Sequence, residues 1–166
     1  MGSEGLAYRK TLIRFFVDRF LTLKRLWCVN QTATGLKQVK GDCRCVSFVA
    51  AMATGTTPEE FEAFAAAMPQ WSKNEPPYED IHFYSYLLSK GFLCGLGFSD
   101  KTPEGGLIRI DYDVRKNPAY VVAYSDLGGH ALYWDGSQIC DPDPDTKNGK
   151  PINEYKVQLW VPIYKI

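Results

Sequence analysis

Histidine is scarce in this chain of 166 residues: only His82 and His130 occur. Chemistry that needs an imidazole must use one of these two. An excess of charge of either sign is also missing, since 19 Lys and Arg face 19 Asp and Glu, for a formal net charge of zero. The basic excess usual in nucleic-acid binders is therefore lacking, and no nucleic-acid partner is expected. No apolar run reaches the roughly 18 residues needed to span a bilayer, so no membrane partner is expected either. The start, MGSEGLAYRK, lacks the apolar stretch and small-residue cleavage site of a signal peptide. Leu6 stands where a myristoylation signal needs Ser or Thr. Together these absences predict a cytoplasmic protein. The five cysteines, Cys28, Cys43, Cys45, Cys94 and Cys140, are odd in number and irregularly spaced. They do not suggest a disulfide framework, and a reducing compartment fits them better. Repeats and low-complexity segments are missing too. The length suits a single domain over 1–166 with one core, and says nothing of oligomeric state.

What is present falls into two halves. Residues 5–27 carry Leu12, Phe15, Phe16, Phe20 and Leu23 at helical spacing, with Arg9, Lys10, Arg14 and Lys24 among them. This predicts an amphipathic helix with a core face and a basic solvated face; a membrane-surface helix is the lesser reading. Residues 28–41 read as loop. Residues 43–54 read as a short alanine-rich helix closed by Gly55. Residues 56–68 open with Thr57 as N-cap, Pro58 at the first helical position and acids in the first turn. Residues 69–77 hold three prolines and read as loop, and residues 78–90 read as a further helix closed by Gly91. Short β-branched and aromatic runs then follow: FLCGLGF, GLIRIDY, AYVVAYS, HALYWDG, SQICD and KVQLWVPIYKI. Helices first and strands after predict an α+β fold, with a mainly helical lobe over 5–90 and an antiparallel sheet lobe over 91–166.

The candidate chemistry starts from the two histidines. His82 sits inside the predicted helix 78–90 and reads as a packed or surface structural residue. His130 opens a strand after two glycines, in DLGGHALYWDGSQICDPDP. The alternation of HALYW puts His130, Leu132 and Trp134 on one face. Asp135-Gly136 is a hairpin signal, with SQICD as the return strand. Such a hairpin brings Asp141 back to the level of His130, where a carboxylate holds the second ring nitrogen and favours the protonated imidazole. The bland alternative is that DPDP is only a turn. A thiol at a helix N-terminus sees unpaired N–H groups and the positive end of the helix dipole, which lowers its pKa. Cys43 and Cys45, in GDCRC, both stand near such a start. With His130 and Asp141 either would complete a nucleophile, base and orienting acid. Two residues apart on a helix means about 200° of rotation, so only one of the two thiols faces His130.

The stretch Cys45-Val-Ser-Phe-Val-Ala-Ala-Met-Ala-Thr-Gly resembles the nucleophile helix of papain-like cysteine peptidases. ATGTTPEEF is similar to small papain-like proteins of phages and bacteria. GGHALYWDGSQICDPDP resembles the histidine strand and Asp-Pro return strand of double-glycine leader peptidases, and the His-to-Asp segment of picornaviral leader proteases. The resemblance covers residues of about 38–62 and 119–145. It implies a papain-like fold and a cysteine peptidase acting on a protein or peptide through a thioester, without metal or organic cofactor. It implies Cys45 as nucleophile, His130 as general base and acid, and Asp141 as the group that orients His130. An Asp-Cys pair opens the helix in the double-glycine peptidases, which keeps Cys43 as the alternative nucleophile, with Asp42 as N-cap. The oxyanion donor implied is Gln38, seven residues before Cys45 where the usual spacing is six; Gln31 and Asn30 are remoter options.

Rival readings have less support in the residues. A Cys-x-Cys zinc site lacks a partner pair at ligand spacing. A calcium loop in DPDPDTKNG lacks the glycine at its sixth position and the glutamate at its twelfth. Cys140 reads as core, and Trp27, Trp71, Trp134 and Trp160 as packing. The weightier alternatives keep the fold: a catalytically silent binding protein, an acyl transferase using the same triad, or a cell-wall peptidase. A complete Cys-His-Asp set favours activity, because a pure binder has no use for all three.

Overall fold

The computed structural model describes residues 35–69, 75–99, 115–125, 128–147 and 151–166. The expected helix 5–27, the strand GLIRIDY, and Cys28, Trp27, Trp71, Asn30 and Gln31 lie outside the described residues. Among the described residues, three α-helices come first: α1 (Cys45–Thr54), α2 (Pro58–Ala66) and α3 (Asp80–Ser89). Six strands follow: β1 (Phe92–Cys94), β2 (Phe98–Ser99), β3 (Ala119–Ser125), β4 (Gly128–Trp134), β5 (Ile139–Cys140) and β6 (Val157–Lys165). They form an antiparallel sheet in the order β1-β6-β3-β4-β5, with β2 also paired to β6. The α+β class expected from helices before strands is therefore present. Among the described residues, no helix is long and apolar enough to cross a membrane.

Local chemistry explains most boundaries. In α1, every residue from Val46 to Ala53 is buried, as befits a helix apolar on all sides. It ends where Gly55 adopts a left-handed φ of +72° and donates its N–H to Ala51 O at 2.8 Å. In α2, the Thr57 hydroxyl accepts the Glu60 N–H at 3.2 Å, with Pro58 opening the helix. In α3, the Glu79 N–H donates to His82 Nδ1 at 3.2 Å. His82 is thus a buried capping residue of its own helix.

Three expectations need correction. The helix expected over 43–54, α1, begins at Cys45, not Cys43, and Arg44 occupies the N-cap position. Asp42 does not cap it as expected: its carboxylate is spent on the Arg44 backbone N–H and Nε, at 3.1 and 2.7 Å. The expected strand 92–98 is broken between Cys94 and Phe98. Its partner β6 carries Pro162, which has no N–H to return, and Gly95 N–H donates alone to Pro162 O at 2.8 Å. The return strand expected over 137–141 shrinks to Ile139–Cys140. There the Asp135 Oδ1 takes the N–H groups of both Ser137 and Gln138 at 2.8 Å, which widens the turn beyond Asp135-Gly136.

Side chains on the two faces of the sheet enter separate cores. Towards the helices, Tyr120, Ala131, Tyr133 and Val161 pack with α1, α2 and α3. On the other face Val121, Leu132, Trp134, Ile139, Val157 and Trp160 form a second cluster, with Tyr155 against it. Leu132 and Trp134 share a face, as the alternation of HALYW requires.

Candidate active site

The helix start and the hairpin meet at His130. Its Nε2 lies 2.8 Å from Asp141 Oδ1. The Cys45 thiol hydrogen-bonds to the same ring, which leaves Nδ1 as its partner. Cys45 is the first residue of α1 and is half-buried. Amide N–H groups of Ala131 and Val46 also donate to its sulfur. The N-cap Arg44 makes no side-chain cap, so the N-terminal amides of α1 keep their positive field on the thiol. Cys43 lies off the helix and is exposed. The structure thus pairs Cys45, not Cys43, with His130.

Electrostatics follow from these bonds. Burial pushes the Cys45 thiol up, but the His130 hydrogen bond, the two amides and the imidazolium charge outweigh it, and the thiol falls below its ordinary 9.0. Burial likewise opposes a charged His130, yet the hydrogen bonds and charges of Asp141 and Cys45 raise it to about 9. Asp141 is only 2% exposed. Its burial cost is outweighed by His130, by the Asp143 N–H on Oδ1 at 2.9 Å and by the Tyr155 hydroxyl on Oδ2 at 3.0 Å, so the carboxylate stays below its ordinary 3.8. Both shifts favour a thiolate–imidazolium pair, with the Asp141 carboxylate ionised on the far side of the ring. By contrast, burial pushes the Cys94 and Cys140 thiols up to about 12, which leaves them unreactive.

Gln38 stands in the irregular segment before α1. Its backbone N–H donates to Pro142 O at 2.8 Å and its side-chain Nε2 to Asp42 O at 2.9 Å. Its buried Oε1 has no hydrogen-bond partner among the described residues. Gln38 therefore bridges the loop after Asp141 and the approach to Cys45.

Four residues in this arrangement carried no signal in the sequence. Arg44, between the two cysteines, reaches Glu62 on α2 at 3.2 Å and lies 5.7 Å over the Phe48 ring, pinning the mouth of α1. Ala131 offers only a backbone amide. Tyr155 and Lys37 reach the Asp141 loop from distant parts of the chain, and no local motif announces either. The DPDPDT acids are spent on protein partners: Asp143 Oδ1 accepts the Asp145 N–H at 2.9 Å, and Asp145 Oδ2 pairs with Lys40 at 2.6 Å. Among the described residues, no group of three or more His, Cys, Asp or Glu is placed to hold a metal ion.

What the constellation can do chemically is clear from its polarity. A thiolate at a helix N-terminus is a nucleophile, and the imidazolium beside it is a proton donor for a leaving group. No family model, no curated protein and no solved structure matches the chain.

Proposed function

We propose that the protein is a papain-like cysteine hydrolase that cleaves a peptide or isopeptide bond through a thioester. One observation carries the reading: Cys45 and Asp141 occupy the two nitrogens of a single imidazole, His130. A cysteine-led helix followed by a sheet that supplies the histidine and then the acid supports the papain-like arrangement. The Cys45 thiolate attacks the carbonyl carbon, and the oxyanion that forms accepts the Cys45 backbone N–H and the Gln38 amide. His130 gives its Nδ1 proton to the leaving amine as the C–N bond breaks, leaving a Cys45 thioester. His130 then takes a proton from water as the water attacks the thioester, and the acid product and free thiolate return. Asp141 holds the imidazole in orientation throughout. No metal or organic cofactor enters these steps. The free thiols at Cys43, Cys45, Cys94 and Cys140 support work in a reducing compartment such as the cytoplasm.

The test is selective alkylation. With limiting iodoacetamide and mass-spectrometric mapping, Cys45 is expected to label first, well ahead of exposed Cys43, and to lose that lead in His130→Ala. Equal, slow labelling of Cys43 and Cys45 would sink the proposal. Acyl substrates and ubiquitin-like probes, run against wild type and Cys45→Ala, then identify the substrate. Product carried by an added amine instead of water identifies a transferase, and fast labelling without turnover identifies a silent binder.

A further inference from the structure

Lys37 points its ammonium into the loop that follows β5. Nζ donates to three main-chain carbonyls, those of Asp141 at 2.6 Å, Asp143 at 3.0 Å and Thr146 at 2.5 Å. An ammonium has three N–H groups, enough to serve each of these three acceptors. The contact spans 104 residues of sequence at Asp141 and is partly buried. Next to it, Gln38 N–H donates to Pro142 O at 2.8 Å, so residues 37 and 38 together hold the loop by four carbonyls between Asp141 and Thr146. The outer pair, Lys40 with Asp145, is exposed, and such pairs contribute little. Three carbonyl oxygens directed at one point repel each other unless a cation sits between them. Without one the loop must open, and the Asp141 backbone moves with it.

We propose that Lys37 is a positioning residue, whose ammonium fixes the backbone that carries Asp141 and so the aim of its carboxylate at His130. The inference rests on the Cys45–His130–Asp141 reading above and extends it to a residue that touches none of the reacting atoms. It makes the same short segment, 37–38, responsible for both the orienting acid and the oxyanion amide.

Direction of change separates positioning from a simple charge effect. Removing a nearby cation by itself stabilises protonated His130 and moves its titration up. Loss of a well-aimed carboxylate moves it down, because Asp141 is a main cause of its elevation to about 9. The charged or titrating groups that bear on the ring are Cys45 and Asp141, and those around the Lys37 cage are Asp141, Asp143, Cys140, Tyr155 on the Asp141 carboxylate, and Asp145 with Lys40. The experiment follows the His130 ring by NMR through a pH titration in wild type, Lys37→Met and Lys37→Gln. The Gln variant keeps two N–H donors but no charge. In the folded Met variant the His130 midpoint is expected to drop by about one pH unit, a tenfold change in its proton affinity, with a smaller drop in Gln. An unchanged or higher midpoint in either folded variant overturns the proposal. Failure of both variants to fold also overturns it, since Lys37 is then scaffold. The titration reads the His130–Asp141 pair whether or not Cys45 attacks a substrate, so failed alkylation and failed positioning are told apart.

Discussion

At the scale of single residues, the protonation states set a pH window. Cys45 titrates below 9.0, so its thiolate is present above that lowered value and lost as pH falls through it. His130 is raised, so its proton is present below about 9 and lost as pH rises through that value. In the proposed reaction thioester formation needs both, and its rate is expected to form a bell whose falling limb lies near pH 9. In Asp141→Asn the carboxylate no longer holds the imidazolium, and the falling limb moves down towards the ordinary histidine value. Rates measured at the alkaline shoulder of the wild-type bell then drop at least about tenfold. A falling limb that stays near pH 9 in Asp141→Asn removes Asp141 from the triad. Two of these residues had a local signal, His130 by alternation and scarcity and Asp141 by a hairpin that returns towards it; the expected helix start lay at Cys43, and Cys45 was favoured over it only by the resemblance of the residues that follow. Lys37 and Tyr155 were not legible. Their partners are backbone carbonyls and a carboxylate brought to them by tertiary packing, and no spacing rule encodes that.

At the scale of elements, the cleanest device is the left-handed glycine that stops α1. Gly55 has φ +72°, where an L side chain meets its own carbonyl. Gly55→Ala is expected to cost about 1–2 kcal/mol in urea denaturation. Its Cys45 alkylation should be unchanged in the folded protein, since the cap lies at the far end of the helix. Slower labelling at full stability would mean that the Gly55 cap acts on the Cys45 end of α1. Elements whose ends are set by their own side chains were readable: the Thr57 cap, Pro58 and Gly55 all act within one turn. Elements whose ends depend on a partner strand were not. The break at Gly95 belongs to Pro162, far along the chain, and the short β5 belongs to a carboxylate that captures its own turn.

At the scale of the described fold, the site joins two cores. Cys45 is mounted on a helix that packs on one face of the sheet, while Asp141 is braced by Tyr155, which leans on the cluster of the other face. Trp160 anchors that second cluster at 1% exposure, with its ring 5.6 Å from Trp134. Trp160→Ala is expected to cost about 3–5 kcal/mol, read from urea midpoints. In conditions where the variant remains folded, its Cys45 labelling should also slow, through Tyr155 and Asp141. Loss of stability with labelling intact would show that the second core carries no part of the site. The alternation rule made the two faces legible, since Leu132 and Trp134 fall opposite Ala131 and Tyr133. That the catalytic groups draw on both faces was not legible, because it depends on where β5 ends.

That early ending has one more consequence. β5 covers β4 only at Tyr133 and Trp134, so the ladder stops before Ala131. The Ala131 N–H, which a longer neighbouring strand would have paired with a carbonyl, donates instead to the sulfur of Cys45. The thiolate fills the rung left vacant in the sheet and satisfies the backbone as a carbonyl oxygen would. When the sulfur is acylated, that rung loses its anionic acceptor and the amide is left seeking another. Under the proposed mechanism the sheet then favours the free sulfur anion over the acyl form, and this bias favours release of the acyl group in the second of the two steps.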